Sequence, residues 1–383
     1  MGPRTYPGSP VVGSPVVKKK NEILITLPDT EEFHDKEEVR GLSGVLGWHD
    51  LTGMKLDAEK LVEARAKEIK YTKDKQVYKK IPRWKAKQSG WKIVRTRWID
   101  INKGDDLEPI YRSRLVAKEF NDSEMDGIFA GTPPLEALRS IIHEAATVDG
   151  SGEKMIMIAD VARAFFEAKA TREVCIEIPE EDMTESDKKQ DMVGYLMRSL
   201  YGTRDAAMNW QAEVSREMKK WGFEQGVYNP CLYVHKTWGI TTMVHGDDFV
   251  SVGTQESLKK LEELMTKRFE LKIAMVGREE GYEKESRILN RIVRVTENGW
   301  EYEPDQRHAE IVIKEFGLEN AKEVAMPTEP EKKWEEEENA MPVEADKATR
   351  YRRITARLDY LAALRKGGLQ ANGQSNHWGL EED

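Results

Sequence analysis

The sequence predicts an α+β protein in which short strands alternate with amphipathic helices. One observation is the apolar run from Met155 to Ala159, which is typical of a buried strand. Another is the stretch TTMVHGDDFVSVG, residues 241–253, where two β-branched runs flank a Gly-Asp step and predict a hairpin. The predicted order is therefore helix, strand, helix, strand pair and helix.

The N-terminal part is predicted to contain a leader, a helix and a hairpin. Residues 1–20 are rich in Pro, Gly and Ser without a continuous apolar core, so residues 1–40 are expected to be a disordered leader and not a secretory signal. Residues 56–81 place apolar side chains at helical spacing within dense charge, which predicts an amphipathic helix that leads into a more extended piece. A turn at 103–105 predicts a hairpin with strands near 92–101 and 110–118.

Helices are predicted on both sides of the buried strand that ends at Asp160. Thr132 is expected to cap the first helix, with the two prolines at 133–134 in its first turn. A second helix is predicted around Trp210, because apolar residues recur there at spacings of three and four. Gly222 follows that helix as a candidate C-cap.

The remaining elements follow the same kind of pattern. A strand is predicted at 231–236, then the Gly-Asp hairpin, then a helix that begins near Gln255. The Asn-Gly step in VTENGWEYEP, residues 295–304, predicts a further hairpin. The segment RHAEIVIKEFGLENA, residues 307–321, predicts another helix.

The two adjacent aspartates at the tip of the hairpin, Asp247 and Asp248, allow two interpretations. They are either turn-forming residues on a solvated tip, or ligands of a hard divalent cation such as Mg²⁺. The second follows because carboxylates this close repel each other unless they are protonated or bridged. A metal site needs more oxygen ligands, and Asp160 is the third carboxylate that the sequence offers.

Length and composition limit the class of protein. A chain of 383 residues with 39% hydrophobic and 34% charged residues predicts two or three subdomains and an ample core. No run of about 18 apolar residues is present, so a transmembrane helix is not expected. The two cysteines, Cys175 and Cys231, cannot form a zinc site by themselves and fit a reducing compartment.

The net charge and the distribution of charge lead to different expectations about binding of nucleic acid. A net charge of −9 argues against a simple nucleic-acid binder, since contacts with phosphate use Lys and Arg. Residues 66–118, however, contain 16 Lys and Arg against 6 Asp and Glu, with three Trp among them. This basic segment is predicted to be either a surface that faces phosphates or an ordinary solvated face.

Five ordered blocks of the sequence carry a resemblance to a known family. They are YRSRLVAKEFN, ADVARAFFEA, SLYGTRDAAMNW, MVHGDDFVSVG and YRRITARLDYLAALR. In this order and spacing they resemble the reverse transcriptase of copia-type long-terminal-repeat retrotransposons, over residues 77–365. One Asp-Asp pair alone would be a weak match, whereas five ordered blocks are specific.

The resemblance implies the right-hand fold of polymerases, with fingers, a palm and a thumb. The palm would be an antiparallel sheet backed by helices and would carry the aspartates. The implied boundaries are a leader at 1–40, an N-terminal and fingers region at 41–134, a palm with fingers insertions at 135–290, a primer-grip hairpin with thumb-like helices at 291–365, and a truncated tail at 366–383.

The resemblance also implies a metal-dependent mechanism. Asp160, Asp247 and Asp248 would be the catalytic residues and would hold two Mg²⁺ ions, with Mn²⁺ as an alternative. Asp160 and Asp247 would be the principal ligands. Phe165 would lie under the sugar of the incoming nucleotide and select deoxynucleotides, because a bulky ring clashes with a 2′-hydroxyl. The alternative for Phe165 is an ordinary core residue.

Other nucleotide contacts are implied along the same motifs. Arg112, Arg114 and Lys118 would contact the triphosphate, although they are equally compatible with a solvated strand. Tyr201 and Gly202 would form a loop that touches the nucleotide and the template.

The implied partners are an RNA or DNA template with a primer, dNTPs, and other parts of a Pol polyprotein, without a membrane. The implied location is a cytoplasmic virus-like particle, with the nucleus as an alternative.

The sequence departs from the family pattern at several positions. His245 and Gly246 stand where the family usually has Tyr-Val, and Asp205-Ala206-Ala207 where it often has Gln-Ala-Pro. Asn290 stands where a Leu-Gly step is common. A ribonuclease H domain is expected after residue 365 and is not recognised, which suggests a fragment of a polyprotein. The alternative function is therefore a catalytically decayed or repurposed palm that binds nucleic acid.

Overall fold

The computed structural model describes residues 47–50, 53–104, 108–120, 128–147, 150, 152–304, 306–321 and 344–365. The predicted leader and the predicted tail lie outside the described residues. The helices are α1 Ala58–Asp74, α2 Arg83–Gln88, α3 Leu135–Ala146, α4 Glu185–Lys189, α5 Ala206–Lys220, α6 Gln255–Arg268, α7 Arg307–Phe316 and α8 Ala345–Arg365.

Strands and two short 3₁₀ helices alternate with these α-helices. The strands are β1 Tyr78–Pro82, β2 Lys92–Val94, β3 Thr96–Asn102, β4 Tyr111–Ala117, β5 Lys154–Val161, β6 Val174–Ile176, β7 Met192–Leu196, β8 Glu224–Gln225, β9 Leu232–His235, β10 Ile240–His245, β11 Asp248–Thr254, β12 Leu271–Val276, β13 Glu285–Ile288, β14 Arg291–Thr296 and β15 Gly299–Pro304. The 3₁₀ helices are Ala164–Glu167 and Glu180–Asp182. The mixed α and β character predicted from the sequence is confirmed.

A six-stranded antiparallel sheet occupies the centre of the fold, in the order β12-β5-β11-β10-β9-β8. Side chains of β5 alternate between two apolar clusters, with Met157 and Ala159 in one and Ile156 in the other. Both faces of β5 are therefore covered, which explains why its sequence is apolar throughout instead of alternating.

Helices cover the two faces of the central sheet. Trp210 of α5 and Leu261 of α6 belong to the cluster on one face. Leu138 and Ile141 of α3 belong to the cluster on the other face, together with Trp300 of β15. Full burial of one such apolar side chain stabilises the fold by about 1.5–3 kcal/mol, so these contacts fix the strands that carry the aspartates.

The helix α3 begins later than predicted. The sequence placed its cap at Thr132, but the first helical residue is Leu135, and Pro134 is the N-cap, with an extended backbone and no side-chain cap. A residue that precedes a proline is disfavoured in the helical region. Thr132 and Pro133 both precede a proline, so neither enters the helix readily.

The first four strands, β1 to β4, belong to two further sheets, one of which also contains β6 and β7. The hairpin of β3 and β4 is confirmed, with Thr96 opposite Ala117. The single strand predicted at 92–101 is wrong, because β2 pairs in parallel with β6, in a sheet ordered β1-β7-β6-β2. The chain changes partner at Arg95, whose carbonyl accepts from the amide of Lys118 at 2.7 Å.

The C-terminal elements form a three-stranded sheet and two helices in contact with each other. The predicted Asn-Gly hairpin is present as β14 and β15, and β13 pairs with β14. α7 ends at Gly317, which has a φ of +65° and so provides the left-handed C-cap that glycine favours. Within the described residues, no helix has the length and apolar character needed to cross a membrane.

Candidate active site

The predicted Gly-Asp hairpin is present, and its turn is tight. His245 at the end of β10 pairs with Asp248 at the start of β11, which leaves Gly246 and Asp247 as the turn. Gly246 has a φ of +62°, in the left-handed region that favours glycine. A Cβ atom at Gly246 would meet nothing within 4 Å, so backbone conformation, and not lack of space, explains the glycine.

Three carboxylates converge beside this turn. Asp160 on β5 lies directly opposite Asp248 on β11, and the amide of Val161 donates to the carbonyl of Asp247 at 3.0 Å. One oxygen of each of Asp160, Asp247 and Asp248 lies within 4.8 Å of the others. We call these three residues the aspartate cluster.

The electrostatics of the aspartate cluster favour binding of a cation. Burial, together with the charges of Asp247 and Asp160, raises the pKa of Asp248 to about 6. A divalent cation would remove this repulsion, and carboxylate oxygens are the ligands that hard cations prefer. The donor set therefore fits a divalent metal ion.

The side chain of Trp210 supports the turn through a hydrogen bond. The indole N–H of Trp210 on α5 donates to the carbonyl of Gly246 at 2.7 Å. Trp210 is buried, and its ring meets Phe249 and Phe269 edge to face, at centroid distances of 6.4 and 5.5 Å. The sequence indicated Trp210 only as a member of an apolar helix face, and no local pattern marks this hydrogen bond.

Two of the three predicted basic residues lie together on β4. Arg112 and Arg114 are on the same face of the strand, and the guanidinium of Arg114 lies 4.8 Å from the ring centre of Tyr201. Burial first, and then the charge of Arg114, lowers the pKa of Arg112. Lys118 lies beyond the end of β4, and its side chain is exposed.

The predicted aromatic residue and the predicted loop are in contact. The rings of Phe165 and Tyr201 lie 4.9 Å apart, and the carbonyl of Tyr201 accepts from the amide of Ala117 at 2.7 Å. Gly202 has a φ of +79°, and a Cβ atom there would lie 2.0 Å from the carbonyl oxygen of Ala117. Glycine at 202 therefore allows the loop to lie directly against the end of β4.

Burial is also the main influence on the pKa of Tyr201. It raises the pKa of Tyr201 to about 12, with Arg114 acting in the opposite direction and with Glu68 and Asp247 adding to the increase. Because the charge of Asp247 contributes to the pKa of Tyr201, the loop lies within electrostatic range of the aspartate cluster. The structure thus brings together the aspartates, Arg114, Phe165 and Tyr201, and leaves Lys118 at the edge.

Comparison with known proteins identifies the family. Residues 80–330 match the model of the family described as "Reverse transcriptase (RNA-dependent DNA polymerase)". This match covers more than half of the chain. The chain belongs to this reverse transcriptase family.

Two similar proteins are Pol polyproteins of plant transposons. The retrovirus-related Pol polyprotein from transposon TNT 1-94 of Nicotiana tabacum is 26% identical over 281 residues, which is 71% of this chain and 20% of that protein. The one from transposon RE2 of Arabidopsis thaliana is 28% identical over 186 residues, which is 47% of this chain and 12% of that protein. The chain thus spans a fifth or less of the length of these relatives.

A solved structure of apo telomerase from Candida tropicalis, truncated from its C-terminal domain, is also similar. The match has a TM-score of 0.32 and 10% identity, and covers 66% of this chain and 62% of that one. A TM-score this low supports no detailed comparison. The predicted resemblance to copia-type reverse transcriptases and the predicted enzyme class are confirmed by the family and the two polyproteins, whereas the roles of individual residues stay predictions.

Two lysines that the sequence did not indicate as site residues also lie near the aspartate cluster. Lys272 on β12 lies directly opposite Asp160. Burial, and then the charges of Arg112 and Arg114, lowers the pKa of Lys103, and Asp160 acts in the opposite direction. Lys103 lies between β3 and β4, at a turn whose sequence indicated only a hairpin tip.

Fewer cations of the basic segment at 66–118 are available for phosphates than its composition suggests. Several of its cations form salt bridges with acids that follow residue 118 in the sequence. The pairs are Lys73 and Lys80 with Asp182, Lys75 with Glu167, Arg83 with Glu177 and Lys92 with Glu119. Much of the local excess of positive charge is therefore neutralised within the fold, which weakens the interpretation of the whole segment as a surface for phosphates.

Two departures from the family pattern have structural partners. The carboxylate of Asp205 accepts from Arg172 at 2.5 Å and from the amide group of Asn209 at 2.8 Å. Asn290 has a φ of +60°, and its carbonyl accepts from the hydroxyl of Tyr360 on α8. These residues contribute to the packing of this chain and remove no carboxylate from the aspartate cluster.

Proposed function

We propose that this chain is an RNA-directed DNA polymerase that extends a primer with dNTPs, using two Mg²⁺ ions held by the aspartate cluster. The observation that supports it most directly is the convergence of three carboxylates from β5, the turn and β11 within 4.8 Å. Mn²⁺, which also accepts carboxylate ligands, is the alternative ion. Bound ions would activate the 3′-hydroxyl of the primer and stabilise the charge of the leaving pyrophosphate.

Asp160 and Asp247 would be the principal ligands, and Asp248 would contribute less. Three protein carboxylates are enough for Mg²⁺, since the triphosphate supplies further oxygen ligands.

The triphosphate would lie against the basic residues of the β3 and β4 hairpin. Arg112 and Arg114 present guanidinium groups, which bind phosphate oxygens in pairs. The influence of Asp160 on Lys103 supports adding Lys103 to this set. Lys118, which is exposed beyond β4, would make at most a peripheral contact.

The sugar and base of the nucleotide would meet Phe165 and the Tyr201-Gly202 loop. Phe165 is only partly buried, and its ring rests on Tyr201 at 4.9 Å. A ring held in place on one side is suited to exclude a 2′-hydroxyl by its shape. The chain would thus prefer dNTPs to ribonucleotides.

The proposed architecture is the right hand of polymerases. Residues 41–134 would contain the fingers, 135–290 the palm, and 291–365 the thumb-like helices with the primer-grip hairpin. The central antiparallel sheet with helices on both faces supports the palm. The partners would be a primer on an RNA or DNA template, and other parts of a Pol polyprotein, in a cytoplasmic particle.

The test is primer extension on an RNA template with dNTPs and Mg²⁺, comparing the parent chain with Asp247→Asn. We expect extension by the parent and a loss of at least about 100-fold in the variant. Binding of primer-template and thermal unfolding are measured in parallel. If both proteins are folded and bind primer-template but neither extends it, the proposed activity is wrong and the decayed palm is favoured.

A further inference from the structure

The helix α1 carries a carboxylate on its buried face. Glu68 is 1% exposed and lies in a stripe with Leu61, Ala64 and Thr72. The helix precedes residue 80, where the match to the reverse transcriptase family begins. Because a buried charge is costly unless it is paired, the contacts of Glu68 indicate its role.

The partner of Glu68 is Arg163, three residues after Asp160. The Nε of Arg163 donates to Oε2 of Glu68 at 2.7 Å. The guanidinium also lies 4.1 Å from the ring centre of Tyr71, one turn further along α1. α1 therefore supplies both the counter-charge and the aromatic face that hold this arginine.

Arg163 adopts an unusual backbone conformation. Its φ is +51°, in the left-handed region, which is unfavourable for a residue with a side chain. Such a conformation persists only where the surroundings impose it. The carbonyl of Arg163 accepts from the amide of Phe166 at 2.9 Å and so closes the first turn of the 3₁₀ helix that carries Phe165.

α1 holds the same region at two further points. Lys75, directly after the helix, forms a salt bridge with Glu167 at the end of the 3₁₀ helix. The hydroxyl of Tyr71 donates to the carboxylate of Glu270 at 2.7 Å, and the carbonyl of Glu270 accepts from the amide of Ala162 at 2.9 Å. The chain that follows Asp160 is thus held by α1 along its length.

Glu68 also acts on two of the groups that are proposed to contact the nucleotide. Its charge opposes the burial that lowers the pKa of Arg112, and it adds to the burial that raises the pKa of Tyr201. Its second oxygen, Oε1, is buried and accepts no hydrogen bond from the part of the chain that the structure describes. Glu68 thus binds Arg163 beside the 3₁₀ helix and lies within electrostatic range of Arg112 on β4.

We propose that Glu68 is a positioning residue for the incoming nucleotide, because it holds Arg163 in the left-handed conformation that presents Phe165. This inference rests on the proposed function, since Phe165 selects the sugar only if the chain incorporates nucleotides. It predicts that loss of Glu68 changes the selection between dNTP and ribonucleotide, which a contribution to stability alone would not do.

The test compares Glu68→Met with Glu63→Met in the full chain. Methionine retains the length and helix propensity of glutamate without an acceptor, and Glu63 is exposed on the same helix. We measure kcat and KM for extension by a single dNTP and by the matching ribonucleotide. In Glu68→Met we expect kcat/KM for the dNTP to fall about tenfold or more, mainly through KM, and the preference over the ribonucleotide to fall with it. Glu63→Met should match the parent.

The outcomes separate this inference from the proposed function. Failure of the parent to extend at all contradicts the proposed function. If the parent extends and Glu68→Met retains the parental KM and preference, the inference is wrong. It is also wrong if kcat/KM falls equally for both nucleotides. Arg163→Lys, which keeps the charge but loses the planar fork, is the second variant if Glu68→Met does not fold, and parental selectivity in it would overturn the inference.

Discussion

Two groups of three carboxylates lie in different sheets of this molecule, and among the described residues a salt bridge from a basic side chain reaches only one of the two groups. In the three-stranded sheet, Glu285, Glu301 and Glu303 each accept a hydrogen bond from Arg294, at 3.0, 3.3 and 2.5 Å. We call these four residues the Arg294 cluster. Its carboxylates raise the pKa of Arg294 through these bonds, so its charges are compensated within the fold.

The aspartate cluster is built in the opposite way. Among the described residues, no salt bridge reaches its three carboxylates, and burial with mutual repulsion raises the pKa of Asp248 to about 6. The proximity of several carboxylates is therefore not sufficient to indicate a metal site. The two clusters differ in how their negative charge can be neutralised: a side chain forms salt bridges with the Arg294 cluster, whereas the aspartate cluster is left open to a cationic ligand.

The largest expected contrast is between Asp160→Asn and Glu303→Gln. Each variant removes one negative charge with little change in shape. Asp160→Asn should reduce primer extension by at least about 100-fold, because a principal metal ligand is lost. Glu303 lies on the proposed primer-grip hairpin and not at the metal site, so at saturating primer-template Glu303→Gln should retain kcat within about twofold. The measurement is the steady-state rate of primer extension by both variants. Equal losses of rate would contradict the distinction between the two clusters.

A smaller loss is expected when the support of the turn is weakened. Trp210→Phe retains an aromatic ring but removes the N–H that donates to the carbonyl of Gly246. We expect extension to fall about tenfold, because a small displacement of the aspartates is costly. Trp221→Phe is the matched control, since Trp221 also meets Phe269. An unchanged rate in a folded Trp210→Phe would show that the turn does not need this hydrogen bond.

The raised pKa of Asp248 predicts how stability depends on pH and on metal. Since its folded pKa of about 6 exceeds its ordinary value of 3.8, the folded state binds the proton more tightly. Without metal, stability should fall as pH rises from about 4 to about 6.

Addition of metal should offset part of this loss of stability. About 10 mM Mg²⁺ should raise the free energy of unfolding by about 1–2 kcal/mol at pH 7.5 and by less at pH 5, where the proton competes with the ion. Thermal unfolding with and without Mg²⁺ measures both effects. An equal Mg²⁺ effect at the two pH values would contradict the assignment of Asp248 to the metal site.

The smallest effect is expected in the Arg294 cluster. Arg294→Gln leaves three carboxylates without their cation, and should lower the free energy of unfolding by about 1 kcal/mol, because partly exposed ion pairs contribute little. Urea unfolding measures it. At saturating primer-template, kcat for primer extension should be unchanged, and a large loss of kcat in this variant would show that the Arg294 cluster contributes to the chemical step.

The aspartate cluster could be predicted from sequence because its signals are local. The β-branched runs around Gly246 specify a hairpin, and the apolar run before Asp160 specifies a strand buried on both faces. Antiparallel pairing of β5 with β11 then places Asp160 opposite Asp248.

Other features depend on contacts between distant segments and could not be predicted in this way. The parallel pairing of β2 with β6 joins residues 92–94 to 174–176, and no local pattern encodes it. The role of Trp210 has the same origin. For Glu68 a signal did exist, because it lies seven residues after Leu61 on the apolar stripe of α1, but a charge within a charge-rich helix does not stand out.

The position of α1 has a practical consequence for the design of shortened chains. A protein trimmed to begin at residue 80, where the family match begins, would lack the helix that covers β4 and would leave Arg163 without its counter-charge. Apolar residues such as Leu115, now fully buried, would be open to solvent and prone to aggregate. A shortened chain intended to remain soluble should therefore begin before Ala58, so that it retains α1.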